Sequence, residues 1–309
     1  MAQFLKFLTE GGNAVSVASR INQPNVASTL DDIYKNVLPE FKIKKTDTDM
    51  YTILGSAGKK KDNESSGDID LAISIEQVMK GFKLKTKEEA MKKIQDIVAK
   101  LGTEMAKKHG HDGQQPKDFF KLMPGLETFS LGYPIDNKDG KQDGLFVQLD
   151  IMPSDNIDMI GWTMSAPHHT ESSTKGVIRA ELLSAIIKYS DFKVVKKDSS
   201  GEPLIVKRYY MDLKSGLYYM TQERKMGKSG KYTSAFETKE KKLISSNKDK
   251  IIQFLFGKKV KADDANTFEK LWTLLNSDDF KFPDKREEIV KAFKENAVRH
   301  KVDMPKELD

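Results

Sequence analysis

The chain has 309 residues, 38% hydrophobic and 32% charged, enough for about two domains with buried cores and too apolar for a disordered polymer. It contains no cysteine, which excludes a disulfide scaffold, a Cys-ligated zinc or iron–sulfur site and a thiol nucleophile. The net charge of +6 is local rather than general: residues 1–200 carry 28 Lys+Arg against 28 Asp+Glu, residues 201–250 carry 12 against 6, and residues 251–309 carry 12 against 12.

MAQFLKFLTEGG at the start lacks the continuous apolar core of a secretory signal. No stretch approaches the roughly 18 apolar residues of a membrane span. A cytoplasmic protein without membrane contact is expected. Ser28-Thr29 precede LDDIYKNVLPEF, a short helix with Leu30, Ile33, Tyr34 and Val37 on one face. MYTILGS (Met50–Ser56) reads as a short apolar strand ending at a glycine, and AGKKKDNESSG as a charged turn. DIDLAISI (Asp68–Ile75) alternates, with Ile69, Leu71, Ile73 and Ile75 on one face, and is expected to be a half-buried strand. Lys87 to Lys108 reads as a helix capped by Thr86, with Ala90, Ile94, Ile97, Val98 and Leu101 at helical spacing.

HGHDGQQPK is a loop, and its His109 and His111 lack any companion ligand motif. LETFSLGYPI and LFVQLDIM read as two strands joined by the polar turn DNKDGKQDG. After Pro153 no regular element is legible until a helix from about Thr174 to Tyr189. Three strand-like runs from Leu204 to Thr238 follow, separated by Lys-Ser-Gly and Gly-Lys-Ser-Gly turns, and the chain from Asp249 reads as helical. The expectation is an α+β protein: a catalytic domain over residues 1–165 and a C-terminal region over 166–309 holding a basic β-meander at 204–242 and a helical end.

The chemistry concentrates in LGSAGKKKDNESSGDIDLAI and, about 80 residues later, LFVQLDIM. Side chains at i and i+2 of a strand share a face, so Asp68 and Asp70 project together, roughly 6–7 Å apart at the backbone. Asp150, between Leu149 and Ile151, has the same register on another strand. Three carboxylates on one sheet face repel unless cations neutralise them, and hard oxygen ligands suit Mg²⁺ or Mn²⁺. Two such ions can clamp the attacking and leaving oxygens of an in-line phosphoryl displacement. Gly55 lets backbone N–H groups approach a phosphate, Ser56 adds a hydroxyl donor, and Lys59, Lys60 and Lys61 follow. A phosphate cradle beside a carboxylate cluster is a layout for a metal–nucleoside triphosphate.

Gly55-Ser56, eleven residues, Asp68-Ile69-Asp70-Leu71 and a later strand with Asp150 resemble the DNA polymerase beta-type nucleotidyltransferase superfamily. Its pattern is a Gly-Ser or Gly-Gly pair, roughly ten residues, an acidic-apolar-acidic-apolar strand, and a third carboxylate from a neighbouring strand. The resemblance covers Met50 to Met152. It implies a mixed β-sheet core with flanking helices, Ser56 on the triphosphate, Asp68 and Asp70 on both metals, and Asp150 on the catalytic metal, helping to deprotonate the acceptor hydroxyl. Lys59 matches a basic position four residues after the glycine, whereas Lys60 and Lys61 stand where many members have Gly-Thr.

SAPHHTESSTKG runs from a loop into a helix. Ser172, Ser173 and Thr174 either cap that helix or, with Lys175 and the helix N-terminus, meet phosphates or base; His168 and His169 precede them. Neither GSAGKKK nor GKSGKYTS has the full phosphate-loop signature. Five of the nine tyrosines, Tyr209, Tyr210, Tyr218, Tyr219 and Tyr232, lie in the basic window. With Lys207, Arg208, Arg224, Lys225, Lys228 and Lys231 they form either a single-strand-binding surface or a solvated sheet; in each adjacent pair one tyrosine is expected in the core and one exposed. The expected activity is transfer of a nucleoside monophosphate from an NTP to a hydroxyl with release of pyrophosphate, the acceptor being a nucleic-acid 3′ end, RNA before DNA. The alternatives are the same chemistry on a small molecule, nucleotide or protein, or a non-catalytic nucleic-acid-binding protein with this fold.

Overall fold

The computed structural model of the chain describes residues 14–109, 118–123, 127–172, 174, 176–227 and 230–299. The chain divides into two units of mixed α and β structure, Met1–Val177 and Ile178–Asp309.

The first unit opens with strand β1 (Ile21–Asn22) and helix α1 (Gln23–Asn36). Pro24 sits in the first turn of α1, where its missing N–H costs nothing and its fixed φ suits the helix. The helix therefore starts ahead of the Ser28-Thr29 pair expected to precede it. Both hydroxyls bind the backbone of Asp136 instead: Ser28 donates to its carbonyl and Thr29 accepts from its N–H. There follow β2 (Tyr51–Ile53), β3 (Ser65–Ser66), β4 (Asp68–Ser74), α2 (Ile75–Phe82), α3 (Lys87–Lys108), β5 (Phe120–Met123), β6 (Thr128–Pro134), β7 (Phe146–Ser154) and α4 (Ile157–Met164). Helix α3 has its expected bounds, fixed by a reciprocal capping box between Thr86 and Glu89.

Five strands form one open mixed sheet in the order β2-β4-β7-β6-β5. Strands β4 and β7 are parallel, and the other neighbours antiparallel. Ile69, Leu71 and Ile73 of β4, Leu149 and Ile151 of β7 and Leu131 of β6 are buried in one core with Val26 and Ile33 of α1, Val78 of α2 and Ile94, Ile97 and Val98 of α3. A half-buried β4 was expected, yet every residue after Asp68 is buried. Its second face is covered too, because α4 packs against β2 and β4. The polar residues of β4 therefore do not mark a solvent face: Asp70 is buried, and Ser74 caps α2 by accepting from the Gln77 N–H. Helix α4 itself lies where no element was legible. Asn156 caps it by accepting from the Met159 N–H at 3.0 Å, and Met159, Ile160, Trp162 and Met164 are all buried, so that in eight residues Asp158 alone marks a polar side, too little to show a period.

Helix α5 (Gly176–Ser190) begins at the division. The second unit continues with β8 (Lys193–Lys197), β9 (Pro203–Asp212), β10 (Gly216–Met226), β11 (Tyr232–Ser245), α6 (Lys248–Phe256), α7 (Phe268–Asn276) and α8 (Arg286–Arg299). The meander has four antiparallel strands, β8-β9-β10-β11, where three were expected. The extra strand, KVVKK, is exposed at every residue, so it has no buried face to announce it. The sheet buries Leu204, Val206, Met211, Leu217 and Met220, and the helices bury Ile251, Leu255, Phe268, Leu271, Ile289 and Phe293. Tyr209 meets Phe254 of α6 at 4.8 Å between ring centroids.

Candidate metal and phosphate site

The parallel register of β4 and β7 sets Asp70 opposite Asp150 and Asp68 opposite Gln148. The i, i+2 relation puts Asp68 beside Asp70. One carboxylate oxygen from each of Asp68, Asp70 and Asp150 lies within 4.8 Å of the others. At that separation two full charges repel by about 3–4 kcal/mol at an effective dielectric of about 20. Burial adds to this: Asp150 is wholly buried, Asp70 is 6% exposed, and Asp68 is at the rim. Desolvation first, then the charges of Asp68 and Asp150, raise the Asp70 carboxyl well above its ordinary range, against the pull of Lys59. Asp150 is raised by the same burial and by Asp68, with Ser130 and Gln148 partly offsetting the shift.

Asp70 Oδ1 and Asp150 Oδ1 are buried without a hydrogen-bond partner among the described residues. Two orphaned acceptors on an all-oxygen donor set, held together against their own repulsion, fit a hard divalent cation. The three aspartates could hold a metal ion. Around them, Gln148 Nε2 donates to Asp150 Oδ2 at 2.8 Å, while Gln148 Oε1 accepts from the Ala14 N–H at 2.6 Å. Ser130 on β6 pairs across from Asp150. Neither Gln148 nor Ser130 was singled out from sequence. The signal was available for Gln148: it precedes Asp150 by two residues and is a lone amide in an apolar strand.

Gly55 adopts φ +60°, and a Cβ there would collide with Asp70 Oδ2. The glycine is therefore required by the carboxylate behind it, beyond any phosphate approach. Lys59 is partly buried, with Nζ 3.4 Å from the Gly55 carbonyl oxygen. Desolvation lowers its pKa, opposed by the charges of Asp70 and Glu171. Lys60 Nζ donates to the Ser65 carbonyl at 2.8 Å, and Lys61 is exposed. Ser56 lies half-exposed in the same loop, its carbonyl accepting from the Lys59 N–H. Gln23 of α1 clamps the loop from behind: its Oε1 accepts from the Gly58 N–H at 3.0 Å, and its Nε2 donates to Ser66 Oγ at 3.0 Å. Gly55 and Lys59 thus border Asp70, with Ser56 between them in the loop. Lys175 and Ser173 lie outside the described residues, as do His111 and Lys228. His109 packs edge-on against Phe146 at 5.1 Å. His168 and His169 are exposed beside the Lys59 loop.

The basic meander differs from its expected surface. Tyr209, Tyr210, Tyr218 and Tyr219 are all half-buried, rather than divided into core and exposed partners. Tyr209 packs on Tyr219 at 4.9 Å, and Lys241 lies 4.0 Å from the Tyr218 ring. The cause is the pairing of β9 with β10, which sets Tyr210 against Tyr218 and Tyr209 against Tyr219, so each ring shelters its cross-strand neighbour. Arg224 is only 18% exposed, 3.5 Å from both Asp198 and Glu202, and Arg208 donates to Gln222 at 2.8 Å. Lys225, Lys231 and Tyr232 are exposed.

Among the described residues no helix is long and apolar enough to cross a membrane. No protein-family model matches this chain, and it matches no curated protein.

Proposed function

We propose that the chain is a metal-dependent nucleotidyltransferase of the polymerase-beta type, moving a nucleoside monophosphate from an NTP to an acceptor hydroxyl with release of pyrophosphate. One observation carries this reading: three carboxylates, two of them with a buried oxygen that has no hydrogen-bond partner among the described residues, converge beside the Gly55–Lys59 loop. Asp68, Asp70 and Asp150 would hold Mg²⁺ or Mn²⁺, as two ions in the full assembly. Bound there, the ions supply Lewis-acid stabilisation of the charge that develops on the transferred phosphoryl group.

The protein's own residues do the rest. Ser56 and the loop N–H groups donate to the triphosphate, and Lys59 adds a positive charge held in place by burial. The Gln148 amide fixes the orientation of Asp150. Asp150, opposite Asp70 in the parallel register and beside the ions, would take the proton from the incoming hydroxyl. A nucleic-acid 3′ end, RNA first and DNA second, remains the leading acceptor because the excess positive charge lies in residues 201–250. The internal pairing of Arg224 and the sheltered tyrosines favour a second reading, the same transfer onto a small molecule, nucleotide or protein.

The test is incubation with each α-labelled NTP and Mg²⁺ or Mn²⁺, alone and with RNA, DNA or protein. Label on a macromolecule or in a new small product supports transfer and identifies the acceptor class. No incorporation under any condition, with intact wild-type protein, overturns it.

A further inference from the structure

The segment from Met164 to His169 runs alongside the Gly55–Lys59 loop. Gly55 and Ser165 form a parallel bridge. The Gly55 N–H donates to the Met164 carbonyl at 3.2 Å, the Ala166 N–H to the Gly55 carbonyl at 3.0 Å, and the His169 N–H to the Lys59 carbonyl at 2.8 Å. This ladder fixes two adjacent exposed imidazoles beside the loop, their centroids 4.2 Å apart. Neither ring fills the core, so folding alone does not call for them there.

Their hydrogen bonds assign the ring nitrogens. The Lys59 carbonyl oxygen can only accept, so His169 Nδ1, 3.2 Å away, carries hydrogen. His168 Nδ1 lies 2.8 Å from Thr170 Oγ1 and 3.4 Å from the Thr170 N–H, so it is engaged within its own segment. The Nε2 atoms of His168 and His169 are the ring nitrogens left to meet a ligand, the two Nδ1 atoms being engaged by Thr170 and the Lys59 carbonyl. Lys59 is neutralised in part by Asp70 and Glu171. A polyphosphate would take over the role of Glu171.

We propose that His168 and His169, with Lys59, grip the distal phosphates of the nucleotide, so that the site selects a triphosphate over a mono- or diphosphate. The inference rests on the nucleotidyltransferase reading and extends it to residues outside the Gly-Ser and aspartate pattern.

The experiment measures binding of inorganic tripolyphosphate, pyrophosphate and orthophosphate, and of non-hydrolysable ATP and GTP analogues, to the full chain in Mn²⁺ by calorimetry. Four variants separate ligand binding from loop anchoring. His168→Asn and His169→Asn keep an amide polar atom near the Nδ1 position, oxygen or nitrogen as the partner requires, and lose the distal one; His168→Gln and His169→Gln keep the distal nitrogen. The expected result is about tenfold or greater weakening of tripolyphosphate and NTP binding in each Asn variant, near-normal binding in each Gln variant, and little change for orthophosphate. Glu171→Gln should tighten tripolyphosphate binding. Retained affinity in the Asn variants with loss in the Gln variants makes the histidines loop anchors and overturns the proposal. Unchanged affinity in all four, with wild-type NTP binding still dependent on Asp70, also overturns it and leaves the transferase reading standing. Wild-type protein that binds Mn²⁺ at the aspartates but no NTP or tripolyphosphate overturns both.

Discussion

Asp70 and Asp150 are costly residues in the metal-free protein. Their carboxyls are raised above the unfolded-state values, so the folded chain keeps protons that the unfolded chain has already released. Stability from these groups is full below the unfolded pKa of about 4 and is lost as pH rises through the raised folded values. Thermal melts of metal-free protein should therefore fall between about pH 5 and 8, where other carboxylates are already ionised. Mn²⁺ or Mg²⁺ should restore the lost stability at the upper end, and Asp70→Asn should flatten the slope while abolishing the metal effect. A melting temperature that is flat with pH and indifferent to metal would remove the aspartates as a cation site. Gly55→Ala meets the same carboxylate from the loop side. A left-handed backbone costs a non-glycine residue about 1–2 kcal/mol, and the new methyl collides with Asp70. The variant should be destabilised by at least that amount in urea titrations and should bind Mn²⁺ more weakly, because Asp70 must move.

At the scale of elements, the carboxylate face was legible because a strand fixes side-chain direction with a period of two, and Asp68, Asp70 and Asp150 follow from that rule. The surroundings were not legible, because long-range interactions decide them. Gln148 holds the Ala14 N–H from 134 residues away, and His169 meets Lys59 across 110 residues. Helix α4 and strand β8 escaped notice for opposite reasons: one is short and mostly buried, with Asp158 its one charged residue, the other is exposed all round, and periodicity needs a sustained contrast between faces. Helix α3 shows the favourable case, where an amphipathic stripe and a capping box agree. Thr86→Ala should cost about 1 kcal/mol in chemical denaturation and leave Mn²⁺ affinity unchanged. Gln148→Leu should do the reverse in emphasis. It keeps the approximate volume but removes the amide that donates to Asp150, so Mn²⁺ affinity should fall, and the pH at which metal binds should rise with the Asp150 pKa. Equal metal titrations for Gln148→Leu and wild type from pH 5 to 8 would assign the amide a packing role only.

For the whole molecule, the open matter is whether the excess charge of residues 201–250 serves an acceptor. Sequence counts overstate the surface available. Arg224 is committed to Asp198 and Glu202, so Arg224→Glu would place three carboxylates together and should lower the melting temperature, making it a poor probe of binding. Lys239 is likewise shared between Glu223 and Glu237. Lys225 and Lys231 are exposed near the β10–β11 turn, close in sequence to the exposed Tyr232. If single-stranded nucleic acid lies on this ribbon, its affinity should fall with salt, and every phosphate that a variant no longer neutralises should reduce the logarithmic slope by about 0.7. Lys225→Glu with Lys231→Glu should flatten the salt dependence by at least two such steps without changing Mn²⁺ binding at Asp68, Asp70 and Asp150. Tyr232→Ala should weaken binding by about 1–3 kcal/mol at every salt concentration if the ring stacks on a base. Fluorescence anisotropy with labelled oligonucleotides of RNA and DNA measures both quantities. Salt-insensitive or unmeasurable binding by wild-type protein at low ionic strength would make the ribbon an ordinary solvated hairpin. The hydroxyl acceptor would then belong to a small molecule, a nucleotide or a protein, and the transfer chemistry at the three aspartates would stand or fall on its own test.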